Sequence, residues 1–184
     1  MLINMRIAIA SGSENMVVRI SLDSGCLNVK HKHPILNKLR KLEEQERIEI
    51  FSSGTVWREQ TRPEIPNNYR TRYQKRLEET KPVSETTVFP FSFKSGARFV
   101  NEESEQKIEQ ITKICFPNKS WNELTENEKN DVRALEAHAF AGLDYFLTLD
   151  KKDFVINGKK EELEEKGIFV REPNDAFIEE LKML

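Results

Sequence analysis

Four acidic residues stand where an apolar run or a helical pattern meets a loop. They are Asp23 after MVVRIS, Glu59 after IEIFSSGTVW, Asp131 at the head of DVRALEAHAFAG, and Asp150 after DYFLTL. Carboxylates at such edges can converge in space although 127 residues (150 − 23) separate the first from the last. Converged carboxylates repel one another unless a hard divalent cation neutralises them. The constellation therefore reads as a Mg²⁺ or Mn²⁺ site. Such a site suits hydrolysis of a phosphodiester, which needs a water made nucleophilic near neutral pH and charge stabilised on the phosphoryl oxygens. Carboxylates are hard oxygen ligands that leave water positions open on the ion, so neither histidine nor cysteine is required.

The elements that must position these acids alternate along the chain. MRIAIA (5–10) and MVVRIS (16–21) read as strands, and HPILNKLRKLEEQ (33–45) reads as a helix begun near Pro34. RIEIFSS (47–53) is the next strand. A helix from about Thr55 carries Glu59 and is interrupted by Pro63 and Pro66. NNYRTRYQKRLEE (67–79) is a basic amphipathic helix, and FPFSFKSGARFV (89–100) has a hairpin pattern around Ser95-Gly96. SEQKIEQITKICF (104–116) is a helix stopped before Pro117, and the capping signal Thr125-x-x-Glu128 opens the helix that holds Asp131. After Gly142 come a strand DYFLTLD, a loop KKDF, a helix GKKEELEEKG, a strand IFV and a final helix PNDAFIEELKML with Pro173 near its first turn. Strands alternating with helices favour a parallel sheet covered on both faces, whose carboxyl edge would receive Asp23 and Asp150.

Length and charge bound the remaining possibilities. A chain of 184 residues that is 38% hydrophobic suits a single domain over 1–184, with a variable helical and hairpin insertion at about 61–124. A net charge of −2 excludes a wholesale electrostatic binder of nucleic acid or membrane. Lys and Arg nevertheless outnumber acids over 57–98 and the reverse holds over 101–136, an asymmetry that could steer a polyanion. Two cysteines, Cys26 and Cys115, support neither a disulfide framework nor a cysteine zinc site and fit a reducing, cytoplasmic setting. No export signal and no membrane span are expected.

LDSGCL (22–27), Glu59 in the helix after the second strand, DVRALEAHAFAGLDYFLTLDKKDF (131–154) and KGIFVREPNDAF (166–177) together resemble the four successive signatures of a PIN domain. The third signature is the most specific, with its acid, its small-residue helix, Gly142-x-Asp144 and Thr148-x-Asp150 at the family's intervals. The resemblance covers roughly 17–60 and 125–180 and implies a three-layer α/β/α fold with a central, mainly parallel sheet of four or five strands. It further implies a metal-dependent ribonuclease like the VapC-type toxins of prokaryotic toxin–antitoxin pairs. The implied metal-binding and catalytic acids are Asp23, Glu59, Asp131 and Asp150, with Ser24 and Thr148 in support and Asp153 as an auxiliary acid. Asp23 and Asp131 stand out as direct ligands. RNA would be the substrate, an antitoxin protein a partner and a homodimer a possible assembly. The chain departs from the family pattern at Gly25, which offers no side chain where Asn or Ser is usual.

Other features carry weaker chemistry. Arg70, Arg72, Lys75 and Arg76, with Tyr69 and Tyr73, could grip RNA through phosphates and stacking, or could be the solvated face of an ordinary helix. His138 follows Asp131 by seven residues on one helical face and reads better as a partly buried histidine making one hydrogen bond than as a ligand or proton shuttle. His31 and His33 read as surface residues, and Phe89, Phe91, Phe93 and Phe99 could cover the core or a partner. The alternative to an enzyme is a PIN-like module that binds nucleic acid or protein without cutting. A phospho-acceptor domain using Asp23 is weaker, because the first loop lacks the usual second acid and the last lacks a lysine.

Overall fold

The computed structural model describes residues 17–29, 32–83, 86–87, 98–99 and 102–183. The strand expected at 5–10, His31 and most of the hairpin expected at 89–100 lie outside them. The central sheet has five strands, all parallel, in the order β3-β2-β1-β6-β7, so the expected mainly parallel sheet is parallel throughout. These are β1 (Val18–Leu22), β2 (Ile48–Ser53), β3 (Lys81–Val83), β6 (Tyr145–Leu147) and β7 (Val170–Arg171). A separate short pair joins β4 (Thr86–Thr87) to β5 (Arg98–Phe99), also in parallel. Arg98 and Phe99, the described end of the expected hairpin, thus pair with Thr86 and Thr87 in a sense that a hairpin would not give.

Helices cover both faces. On one side Val18, Ile20 and Leu22 of β1 and Ile48 and Ile50 of β2 pack under α1 (Ser24–Val29), α2 (Pro34–Glu44) and α9 (Asp175–Lys182). Val56 of α3 (Gly54–Thr61) and Leu77 of α4 (Asn67–Glu78) close the same cluster. On the other side Phe146 and Val170 pack under α5 (Glu102–Cys115), α6 (Glu126–Phe140) and α8 (Lys159–Glu165). Period-two alternation explains the division: Phe146 faces the second cluster while its neighbour Leu147 faces the first. The result is a three-layer α/β/α fold.

Two described parts of the segment 61–124, expected as a variable helical and hairpin insertion, pack with these layers. β3 extends the main sheet beyond β2, and Ile108, Ile111 and Ile114 of α5 lie in the second core. KKDF, expected as a loop, forms the short helix α7 (Lys151–Phe154) because the Asp150 side chain caps it, accepting from Asp153 N at 3.1 Å. Other helix starts follow local chemistry legible in the sequence. Thr125 and Glu128 bond reciprocally as a capping box, and Asn174, just after Pro173, caps α9 through Phe177 N. Gly142 ends α6 in the left-handed region at φ 59°, where a side chain would be strained. Among the described residues no helix is long and apolar enough to cross a membrane.

Candidate active site at the carboxyl edge of the sheet

From β1 the chain builds outward through β2 to β3, then returns to the other side of β1 with β6 and β7. The switch point lies between β1 and β6, where a crevice opens beyond the strand ends. Asp23 follows the last residue of β1, and its backbone N–H still donates to Leu147 O of β6 at 2.9 Å. Thr148 and Asp150 follow β6 directly. The two strand-end carboxyls are therefore neighbours by register rather than by sequence.

Asp131 arrives from α6, which runs antiparallel to β1. Near one end of the helix Gly142 O accepts from Arg19 at the start of β1, and one turn earlier His138 Nδ1 pairs with Ser21 Oγ at 2.8 Å. Asp131 lies seven residues before His138, about 10 Å along the helix axis. That displacement carries it past Leu22 to the level of Asp23. Glu59 comes from α3, the helix after β2, and its Oε1 accepts from Asn130 Nδ2 at 3.0 Å. Asn130 is in turn held by Arg133, whose guanidinium lies over the Trp121 ring.

Around Asp23 the hydrogen bonds are continuous. Its Oδ1 accepts from Ser24 N at 2.6 Å and its Oδ2 accepts from Thr148 Oγ1 at 3.0 Å. Thr148 is fully buried, and the same hydroxyl accepts from Asp150 N at 2.9 Å. One side chain therefore fixes both the carboxyl after β1 and the backbone of the acid after β6. The cleft is open, about 560 Å³ in volume, and lined by Asp23, Ser24, Gly25, Asp131, Leu149, Asp150, Lys151 and Lys152.

The acids feel one another. Burial raises the Asp23 carboxyl above its usual range, the Thr148 and Ser24 hydrogen bonds pull it back, and the negative charges of Glu59 and Asp150 raise it further. Asp131 is pushed up to about 8, first by burial and then by Asp23, Glu59, Asp153 and Asp150. Asp153 is raised by burial and by Asp150, with Lys159 and Lys152 opposing. A carboxyl held neutral at physiological pH by burial and by its neighbours' charge marks a place that a cation would relieve.

The donor set fits a hard divalent ion. All the converging side chains are carboxylates, while Cys26, behind Asp23, is fully buried with its thiol pushed well above the ordinary range. Among the described residues no three His, Cys, Asp or Glu side chains stand together as a ready-made metal cage. Mg²⁺ does not demand one, since it binds through one or two carboxylates and keeps several waters.

Of the expected residues, Asp23, Ser24, Asp131 and Asp150 line the cleft, Thr148 bonds Asp23, and Glu59 and Asp153, outside the lining, act on Asp131 through their charge. Sequence reasoning did not anticipate Asn130, beside Asp131, which orients Glu59, or Lys151 and Lys152, which line the cleft from the first turn of α7. The basic helix divides. Arg76 is buried and donates to Asn28 O of α1, and Arg70 donates to Pro63 O and Ile65 O at 2.7 and 3.0 Å. Those two tie α4 to its surroundings, while Arg72 and Lys75 are exposed. His138 is a core residue, lowered to about 3 by burial and packed edge-on against Phe146. Comparison with protein-family models and with curated proteins returns no match.

Proposed function

We propose that this chain is a metal-dependent endonuclease of the PIN type that hydrolyses RNA phosphodiester bonds. The observation that carries the reading is that three carboxyls from separate segments, Asp23, Asp131 and Asp150, line one cleft, with the charge of Glu59 acting on two of them and Asp131 pushed up to about 8 by burial and its neighbours. A stable fold gains nothing from such repulsion, whereas a site built for a divalent ion needs it.

Asp23 and Asp131 would hold a Mg²⁺ or Mn²⁺ ion directly, with Glu59 and Asp150 completing the site or orienting its waters. When bound, the ion acidifies a water and polarises a phosphoryl oxygen. The chain's own residues prepare for this. Thr148 Oγ1 holds Asp23 Oδ2, so the carboxyl does not rotate away, and Asn130 Nδ2 holds Glu59 Oε1 toward the cleft. Asp131, to hold such an ion, would give up its proton. Asp153, at the edge of the cluster, is a further carboxyl able to take a proton. Both cysteines are free and buried, which suits the reducing cytoplasm. The biological setting that the resemblance implies is the toxin of a toxin–antitoxin pair.

The test is cleavage of a labelled single-stranded RNA pool with Mn²⁺ or Mg²⁺, set against Asp131→Asn and an EDTA control. Metal-dependent cutting that the variant loses supports the reading, and an intact pool with no metal binding by calorimetry rejects it. The lack of a ready-made three-ligand cage among the described residues favours a second reading, a PIN-like module that binds nucleic acid without cutting.

A further inference from the structure

The acids account for one wall of the cleft, and four residues that line it, Gly25, Leu149, Lys151 and Lys152, have no part in the chemistry above. Gly25 is the second residue of α1, where glycine weakens a helix. Its backbone is outside the left-handed region, and an added Cβ would meet Asp23 Oδ2 at 3.5 Å and Leu149 Cβ at 3.9 Å, ordinary contacts. Nothing in the protein's own packing therefore demands glycine there. Leu149 lies between Thr148, which holds Asp23, and the acid Asp150, yet it is 40% exposed. Gly25 and Leu149 make an apolar ledge beside Asp23.

Lys151 and Lys152 rise from the same lip. Lys151 is paired with Glu172 at 2.5 Å. Lys152 is exposed and, among the described residues, has no ion-pair partner. Its backbone is not loose, because its carbonyl accepts from Lys159 Nζ at 2.9 Å, which ties α7 to α8. An ammonium that forms no ion pair among the described residues, on a fixed backbone beside an apolar ledge, matches the two halves of a nucleotide, a phosphate and a flat apolar base.

We propose that Lys152, Leu149 and Gly25 form a subsite for one nucleotide of a single-stranded polynucleotide adjacent to the bond cut at the acids, with Lys152 on its phosphate and the ledge under its unpaired base. The inference rests on the reading that the cleft takes a polynucleotide. It deepens that reading by assigning the substrate at least two phosphates, one for the acids and one for Lys152. Duplex is disfavoured because a base on the ledge must leave its stack.

The test is binding, read separately from cleavage. Fluorescence anisotropy of a 5′-labelled single-stranded RNA is followed in EDTA between about 50 and 200 mM salt, where loss of one phosphate contact lowers the slope of log K on log salt by about 0.7. Lys152→Gln is expected to weaken binding about three- to tenfold and to show that smaller slope. Lys151→Gln, whose ammonium is engaged by Glu172, is expected to bind like the wild type. Leu149→Ala should weaken binding of the single strand and leave binding of the matching duplex unchanged. An unchanged affinity and slope in Lys152→Gln, equal losses in both lysine variants, or no RNA binding by the wild type each overturns the inference. A Lys152-dependent slope in a protein that cuts nothing with Mn²⁺ upholds the subsite and rejects the nuclease.

Discussion

Asp131→Asn separates stability from function at this site. In the folded chain the Asp131 carboxyl is pushed from 3.8 up to about 8, by burial first and then by four neighbouring acids. The sign follows from proton counting. Between those two values the folded state holds a proton that the unfolded state has released, so this group makes stability fall as pH rises from about 4 to about 8. At 1.36 kcal/mol for each tenfold change, the full displacement is worth roughly 6 kcal/mol, and partial exposure with local relaxation reduces it to about 2–4 kcal/mol. Asparagine keeps the shape and carries no charge, so it removes the penalty. The variant should be indistinguishable from the wild type near pH 4 and more stable by about 2–4 kcal/mol at pH 8.5, or roughly 4–16 °C in Tm for a chain of this size. Urea unfolding at both pH values, in EDTA, measures the difference directly. Adding Mg²⁺ or Mn²⁺ at about a hundred times its dissociation constant should then stabilise the wild type by about 2.7 kcal/mol and leave the variant unmoved. A variant equally destabilised at every pH, or a difference that does not grow with pH, refutes the electrostatic account of the cleft.

His138 acts with the opposite sign. Its imidazole is lowered to about 3, so the unfolded chain takes up a proton below about 6.5 that the folded one refuses, and stability falls toward acid. Taken with Asp131, the wild type should show a flat stability profile between about pH 4 and 6.5 in chemical denaturation, with losses on both sides. Thr148→Val removes the hydroxyl that serves both Asp23 and Asp150 N–H, and should cost about 1–3 kcal/mol in urea unfolding while also reducing metal affinity by calorimetry. Asn130→Ala releases Glu59 without touching Asp23 or Asp131, so RNA cleavage should fall while metal still binds, as separate cleavage and calorimetric titrations would show. Arg76→Met leaves Asn28 O without its buried donor and should lower stability by about 1.5–3 kcal/mol, whereas Arg72→Gln at the solvent face should leave the urea midpoint unchanged.

The sequence by itself determined what depends on near neighbours. The alternation of strand and helix, the capping box at Thr125 and Glu128, the stop at Gly142 and the strand-end placement of Asp23 and Asp150 all follow from periods, caps and turn chemistry that act within a few residues. The helix α7, where the sequence reads as a loop, has a related cause: besides lining the cleft, the Asp150 side chain caps Asp153 N–H and turns the following residues into a helical turn.

Only the tertiary structure decided which distant groups meet. The register of β1 against β6, Leu22 opposite Leu147, is what sets Asp23 beside Thr148, and the antiparallel course of α6 is what lifts Asp131 to the same level. The partners Asn130 and Glu59 are 71 residues apart in sequence, and no local pattern links them. The basic helix shows the same limit. Its charges are plain in the sequence, but burial against α1 made Arg76 a structural tie, and nearby carbonyls engaged Arg70. Side-chain chemistry is local, while the use made of it depends on what the packed layers bring within hydrogen-bond distance, and that is a property of the fold as a whole.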